Sequence, residues 1–92
     1  MKTAKHTVEV EGTLRNKGFG FLCMQLASKY KITGTLFYKT GEIAVLEISG
    51  DYENIQKMLN RCREEDYIKK IETLNKNTAI QTINDFLLLN QI

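Results

Sequence analysis

The sequence predicts an α+β sandwich, in which two helices cover one face of an antiparallel sheet. Three observations predict it. Residues 5–14 alternate apolar and polar with the period of a half-buried strand. Residues 22–30 and 55–62 repeat their apolar positions at helical spacing. Two β-prone runs, 35–38 and 43–49, are separated by a short turn-like segment.

In chain order, "KHTVEVEGTL" places His6, Val8, Val10, Gly12 and Leu14 on one face, with Thr7, Glu9, Glu11 and Thr13 opposite, which is a strand. From Leu22 the period becomes helical: Leu22, Cys23, Leu26, Ala27 and Tyr30 share a face. Gly34 breaks that pattern, and Thr35–Tyr38 has strong strand propensity. "KTGE" at 39–42 reads as a hairpin connection with Gly41 available for positive φ, leading into a strand from Ile43 to Ser49. Gly50-Asp51 punctuates, with Asp51 as N-cap of a second helix whose inner positions are Ile55, Met58, Leu59 and Cys62. Tyr67–Leu74 reads as a fourth strand and 75–85 as polar connection in which Ile80 and Ile83 pack. Phe86–Ile92 reads as a terminal strand.

The order is therefore β-α-β-β-α-β plus a terminal strand. Two crossovers of one hand, each carrying a helix, put both helices on the same face: the split β-α-β, ferredoxin-like arrangement. No linker or shift in composition divides residues 1–92, which read as a single domain.

Composition narrows the function classes. An apolar fraction of 42%, no proline and 6 glycines describe a chain that can bury a core. No apolar run approaches the roughly 20 residues of a membrane span, and the N-terminus has no apolar block of a secretory signal. A cytoplasmic location away from membranes is the expectation. The net charge of +2 is weak evidence for a polyanionic partner, and no nucleic-acid partner is expected. The distribution is uneven: residues 1–31 carry six Lys/Arg against two Glu, and residues 32–92 carry seven against nine Asp/Glu. Cys23 and Cys62, with His6 as the one histidine, provide no metal-ligand spacing and read as free buried thiols. The same count leaves no Ser-His-Asp triad, and a Cys-His pair only if His6 folds beside a cysteine.

"RNKGFGFLCM", Arg15–Met24, carries the most chemistry. Lys17-Gly18-Phe19-Gly20-Phe21 has the look of an RNA-stacking strand. In RNA-recognition domains that segment is the third strand, whereas only 16 residues precede Lys17 here, and Ile43–Ser49 offers no aromatic ring. The place that remains is the first strand-to-helix turn. Amides there, with the free N–H groups of the helix start, form an anion nest.

Here "V-E-G-T-L-R-N-K-G-F-G" (Val10–Gly20) resembles the acylphosphatase signature G-x-V-Q-G-V-G-F-R. Gly12 falls on the first glycine, Leu14 on the apolar position, Arg15 on the glutamine, Asn16 on the loop glycine and Gly18-Phe19 on the closing G-F. The likeness continues with Ala27 on the helix alanine, Ile32-Thr33-Gly34 on L-T-G, and Gly50 before the second helix, so it spans the chain. It implies metal-free hydrolysis of acyl phosphates with no cofactor. In that reaction loop amides and a signature arginine hold the phosphate, and an asparagine on the second strand positions water. The arginine position is Gly20 and the asparagine position is Tyr38. No asparagine lies between Asn16 and Asn54 to restore the second by a shift in register. A shift of two still leaves Leu22 at the arginine position.

The resemblance therefore implies a catalytically inactive acylphosphatase-like domain that binds phosphate-bearing anions weakly through Arg15, Asn16, Lys17, Gly18, Phe19 and Gly20. In an active alternative, Arg15 or Lys17 supplies the cation and the Tyr38 hydroxyl holds the water. Two further readings stand beside these. The glycine turn is purely structural, with Phe19 plugging the core; or the apolar Phe86–Leu89 run lies on a sheet edge and recruits a protein partner rather than simply closing the sheet.

Overall fold

The computed structural model describes residues 3–78 and 86–88. In order they form β1 (Thr3–Gly12), a 3-10 turn (Arg15–Lys17), α1 (Phe19–Tyr30), β2 (Thr33–Tyr38), β3 (Ile43–Asp51), α2 (Tyr52–Arg63), β4 (Ile68–Thr78) and β5 (Phe86–Leu88). The sheet order is β4-β1-β3-β2-β5. β3 lies between β1 and β2, and β1 lies between β3 and β4, so each helix bridges two parallel strands across an antiparallel one. This is the split β-α-β, ferredoxin-like α+β fold expected.

The alternation of β1 is realised: His6, Val8, Val10 and Gly12 are buried on the helix-covered face, and Leu14 is buried just past the strand. They meet Leu36, Leu46 and Ile48 from β2 and β3, Phe19, Cys23, Leu26 and Ala27 from α1, and Ile55, Met58, Leu59 and Cys62 from α2. Non-directional burial of this continuous set is the main stabilising term, each full-sized aliphatic side chain contributing about 1.5–3 kcal/mol. Asp51 caps α2 as expected, its carboxylate accepting the Glu53 N–H at 2.9 Å. Among the described residues no helix is long and apolar enough to cross a membrane.

Several boundaries differ from the expectation. α1 begins at Phe19 rather than Leu22, because the Leu22 N–H already donates to the Gly18 carbonyl at 3.0 Å, which places Phe19–Phe21 in the first turn. Gly34 lies inside β2, not before it: its φ of 138° and the close approach of the Glu47 backbone require a residue without Cβ. β3 continues through Gly50 to Asp51. The 39–42 connection does not use a left-handed Gly41. The Thr40 hydroxyl instead accepts from the N–H groups of Glu42 (3.0 Å) and Ile43 (3.1 Å).

At the C-terminal end, Asn75–Thr78 belong to β4, since they pair with Thr7–Ala4 of β1. That ladder overrides their weak strand propensity. The sheet is mixed, not wholly antiparallel: β5 runs parallel to β2 at the edge opposite β4, so no hairpin dictates its direction. Phe86 is buried against α1 and Leu87 is exposed. Ile80, Ile83 and the 89–92 part of the expected terminal strand lie outside the described residues.

Candidate functional site

β1 delivers the chain to the end of the sheet, and Leu14, fully buried, anchors the turn that follows. Its carbonyl accepts from Lys17 (3.2 Å) and Phe19 (3.3 Å), closing the 3-10 turn at Arg15–Lys17. Gly18 then adopts φ 70°, ψ 33°, the left-handed conformation that costs a glycine little, and reverses the chain into α1. Phe19 seals the core beneath the turn. Arg15, Asn16, Lys17 and Gly18 are exposed above it, and Gly20 is buried in the first turn of α1.

Not all of the expected nest is open to a ligand. The Lys17 and Phe19 amides serve Leu14, while Arg15 and Asn16 make no backbone hydrogen bond of this kind among the described residues. Tyr38 ends β2 pointing inward, only 4% exposed, and Gly20 is among the groups that bear on its hydroxyl. Burial, followed by the neighbouring Cys23 thiol, pushes the Tyr38 hydroxyl above its ordinary range, outweighing the opposite pull of the Gly20 N–H. The phenol is therefore neutral at physiological pH.

Arg15 lies by the neighbouring 39–42 turn. Its guanidinium carbon is 4.0 Å from where a Cβ on Gly41 would stand. Together Thr13, Arg15, Asn16, Thr40, Gly41 and Glu42 line an open groove of about 380 Å³ between the two turns. Neither Arg15 nor Lys17 forms an ion pair among the described residues, whereas Lys39 is held by Glu9 at 3.4 Å. The groove offers an anion one cation and three small polar groups, but also the Glu42 carboxylate. Sequence reading found the 39–42 turn but not its place beside Arg15, because the two turns are more than 20 residues apart in the chain.

The remaining candidates are elsewhere. His6 is buried against the start of α2, its ring edge-on to Tyr52 with centroids 5.8 Å apart. Cys62 lies in the last turn of the same helix, about 15 Å away at 1.5 Å rise per residue. No Cys62-His6 dyad forms. Cys23 and Cys62 are both free thiols, buried as expected. No group of three or more potential metal-ligating side chains occurs among the described residues.

Comparison with known proteins places this turn in a family context. The family model described as acylphosphatase matches residues 6–87. An acylphosphatase from Clostridium acetobutylicum is 27% identical over 70 residues, spanning 76% of this chain and 77% of that protein. The crystal structure of acylphosphatase from Bacillus subtilis superposes with a TM-score of 0.84 at 13% identity, covering 95% of this chain and 99% of that one. Full-length HypF in its phosphate- and nucleotide-bound form matches at a TM-score of 0.81 and 16% identity, over 97% of this chain but 12% of that one.

Proposed function

The chain belongs to the acylphosphatase family, and we propose that it keeps the family fold without the family hydrolysis, holding phosphate-bearing anions weakly on the Arg15–Gly20 turn. The observation that carries this reading is Tyr38, buried at the end of β2 with its phenol neutral, at one of the two positions in question, and Gly20, buried in the first turn of α1, at the other. Those are the two positions where the family resemblance calls for an asparagine and an arginine. One has no side chain and the other is a neutral phenol.

Loss of one oriented donor to a developing oxyanion typically costs ~10²–10³ in rate. Loss of the water-positioning amide removes a second contribution that acts on the same transition state. Arg15 and Lys17 replace the charge without replacing the geometry. Both are exposed, and Arg15 lies over the Gly41 turn beside Glu42. Reduced thiols at Cys23 and Cys62 suit a cytoplasmic setting.

Hydrolysis of benzoyl phosphate tests the reading. The expected turnover is at most about a hundredth of that of an ordinary acylphosphatase, given the two losses. Turnover within about tenfold would establish the active alternative, with Arg15 or Lys17 as the working cation.

A further inference from the structure

We propose that the groove between the site turn and the 39–42 hairpin binds a small phosphate ester or anhydride that also carries an ammonium group. Arg15 and Asn16 take the phosphate, and Glu42 takes the ammonium. The inference rests on the anion-binding reading of the turn and adds to it the second charge of the ligand. Arg15 and Glu42 line one groove of about 380 Å³, at the small end of the roughly 300–1,000 Å³ that small-molecule sites occupy. Both are exposed, and neither forms an ion pair among the described residues. Lys39 closes on Glu9 and Arg61 on Glu65, but Arg15 and Glu42 do not close on each other. Two opposite charges held apart on one groove suit a ligand that bears both.

The backbone fixes the two rims relative to each other. The Gly12 N–H, at the end of the strand that delivers Arg15, donates to the Glu42 carbonyl at 2.9 Å. The Leu14 carbonyl holds the first rim by accepting from Lys17 and Phe19. The Thr40 hydroxyl holds the second by accepting from the N–H groups of Glu42 and Ile43. Neither rim has to be ordered when a ligand arrives, which lowers the cost of binding. The floor is open: beyond its chain neighbours, a Cβ on Gly41 would meet only the Arg15 guanidinium carbon, at 4.0 Å.

For a bare phosphate the arrangement is poor, because the Glu42 carboxylate repels what Arg15 attracts. An ammonium on the ligand reverses the sign of that contact. Glu42 then discriminates against anions that lack the amine. Asn16, Thr13 and Thr40 add hydrogen-bonding groups around the ligand without adding charge. Exposure limits the gain, since water and salt screen both charges.

The experiment titrates aminoethyl phosphate and ethyl phosphate separately into the full chain and follows the amide NMR spectrum. At about pH 8 both phosphates are dianionic and the amine is charged. Aminoethyl phosphate should bind about two- to fivefold more tightly at low salt, and its shifts should extend from Arg15–Gly20 to Thr40–Glu42. Glu42→Gln should weaken aminoethyl phosphate and tighten ethyl phosphate, opposite effects that a merely structural role would not produce. Gly41→Leu, at a position without a left-handed backbone, should weaken aminoethyl phosphate by filling the space between the charges. Equal wild-type affinities for the two ligands would overturn the inference and leave the anion reading of the turn intact. No shift at Arg15–Gly20 with either ligand would overturn both. Co-sedimentation with phosphatidylethanolamine vesicles would make the ligand a lipid headgroup and overturn its assignment as a small free molecule.

Discussion

Tyr38 places a phenol in the core at the end of β2, near the first turn of α1, and it stays neutral because burial disfavours the phenolate. This residue-scale placement makes a prediction. Tyr38→Phe keeps the ring in the core and removes the buried hydroxyl. The cost should be about 0.5–1.5 kcal/mol, the net worth of one typical hydrogen bond. Urea unfolding measures it. An unchanged midpoint would mean that the hydroxyl contributes nothing to the fold.

The turn from Thr13 to Gly18 works as a unit. The two bonds to the Leu14 carbonyl and the left-handed Gly18 hold it rigid, so the direction of its amides does not depend on a ligand. Charge is provided by Arg15 and Lys17, which make no ion pair among the described residues. Exposed charges at a helix start contribute only about 0.3–1 kcal/mol each and are screened by salt. A fixed guanidinium fork at position 20 would bind a phosphate far more firmly. Phosphate titrated against the amide NMR spectrum should therefore move Arg15–Gly20 with millimolar or weaker affinity, and added chloride should reverse the shifts. Arg15→Ala and Lys17→Ala should each weaken binding severalfold. Shifts confined to other elements, or indifferent to both substitutions, would reduce the turn to a structural connection.

At the scale of the whole molecule, the core is closed at the same end by Tyr67. Its carbonyl accepts the Thr13 N–H at 3.1 Å, tying the start of β4 to the site turn. Burial, then the Glu65 charge and the two thiols, raises its hydroxyl from 10.0 to about 12. The sign follows from linkage. The native state keeps this proton to about pH 12, whereas the unfolded chain releases it near 10.0. The contribution to stability is complete below the lower value and is lost as the pH rises through the higher one. Tyr38 shifts in the same direction and adds to the alkaline loss. Urea midpoints compared at about pH 9 and about pH 11 should fall in the wild type and fall less in Tyr67→Phe. Equal slopes in the two proteins would remove Tyr67 from the explanation.

The element order, the inner face of β1 from His6 to Val10, the inner stripe of α2 and the Asp51 cap are legible in the residues alone, because each is a periodicity or a contact within a few residues. The residues also locate the turn at Arg15–Gly20 and the two positions, Gly20 and Tyr38, on which the proposed loss of hydrolysis rests. The rest depends on partners distant in the chain. Asn75–Thr78 became strand because β1 was there to pair with them, and β5 became parallel because it joined the sheet beside β2. The hairpin at 39–42 turned on the Thr40 hydroxyl rather than on Gly41, and brought Glu42 across from Arg15. Tyr38 turned into the core, and Cys23 and Cys62 were buried on the packed faces of α1 and α2, through packing that no local spacing encodes. Local pattern specifies which face of an element is buried; which side chains then touch is settled by the assembly of helices on the sheet.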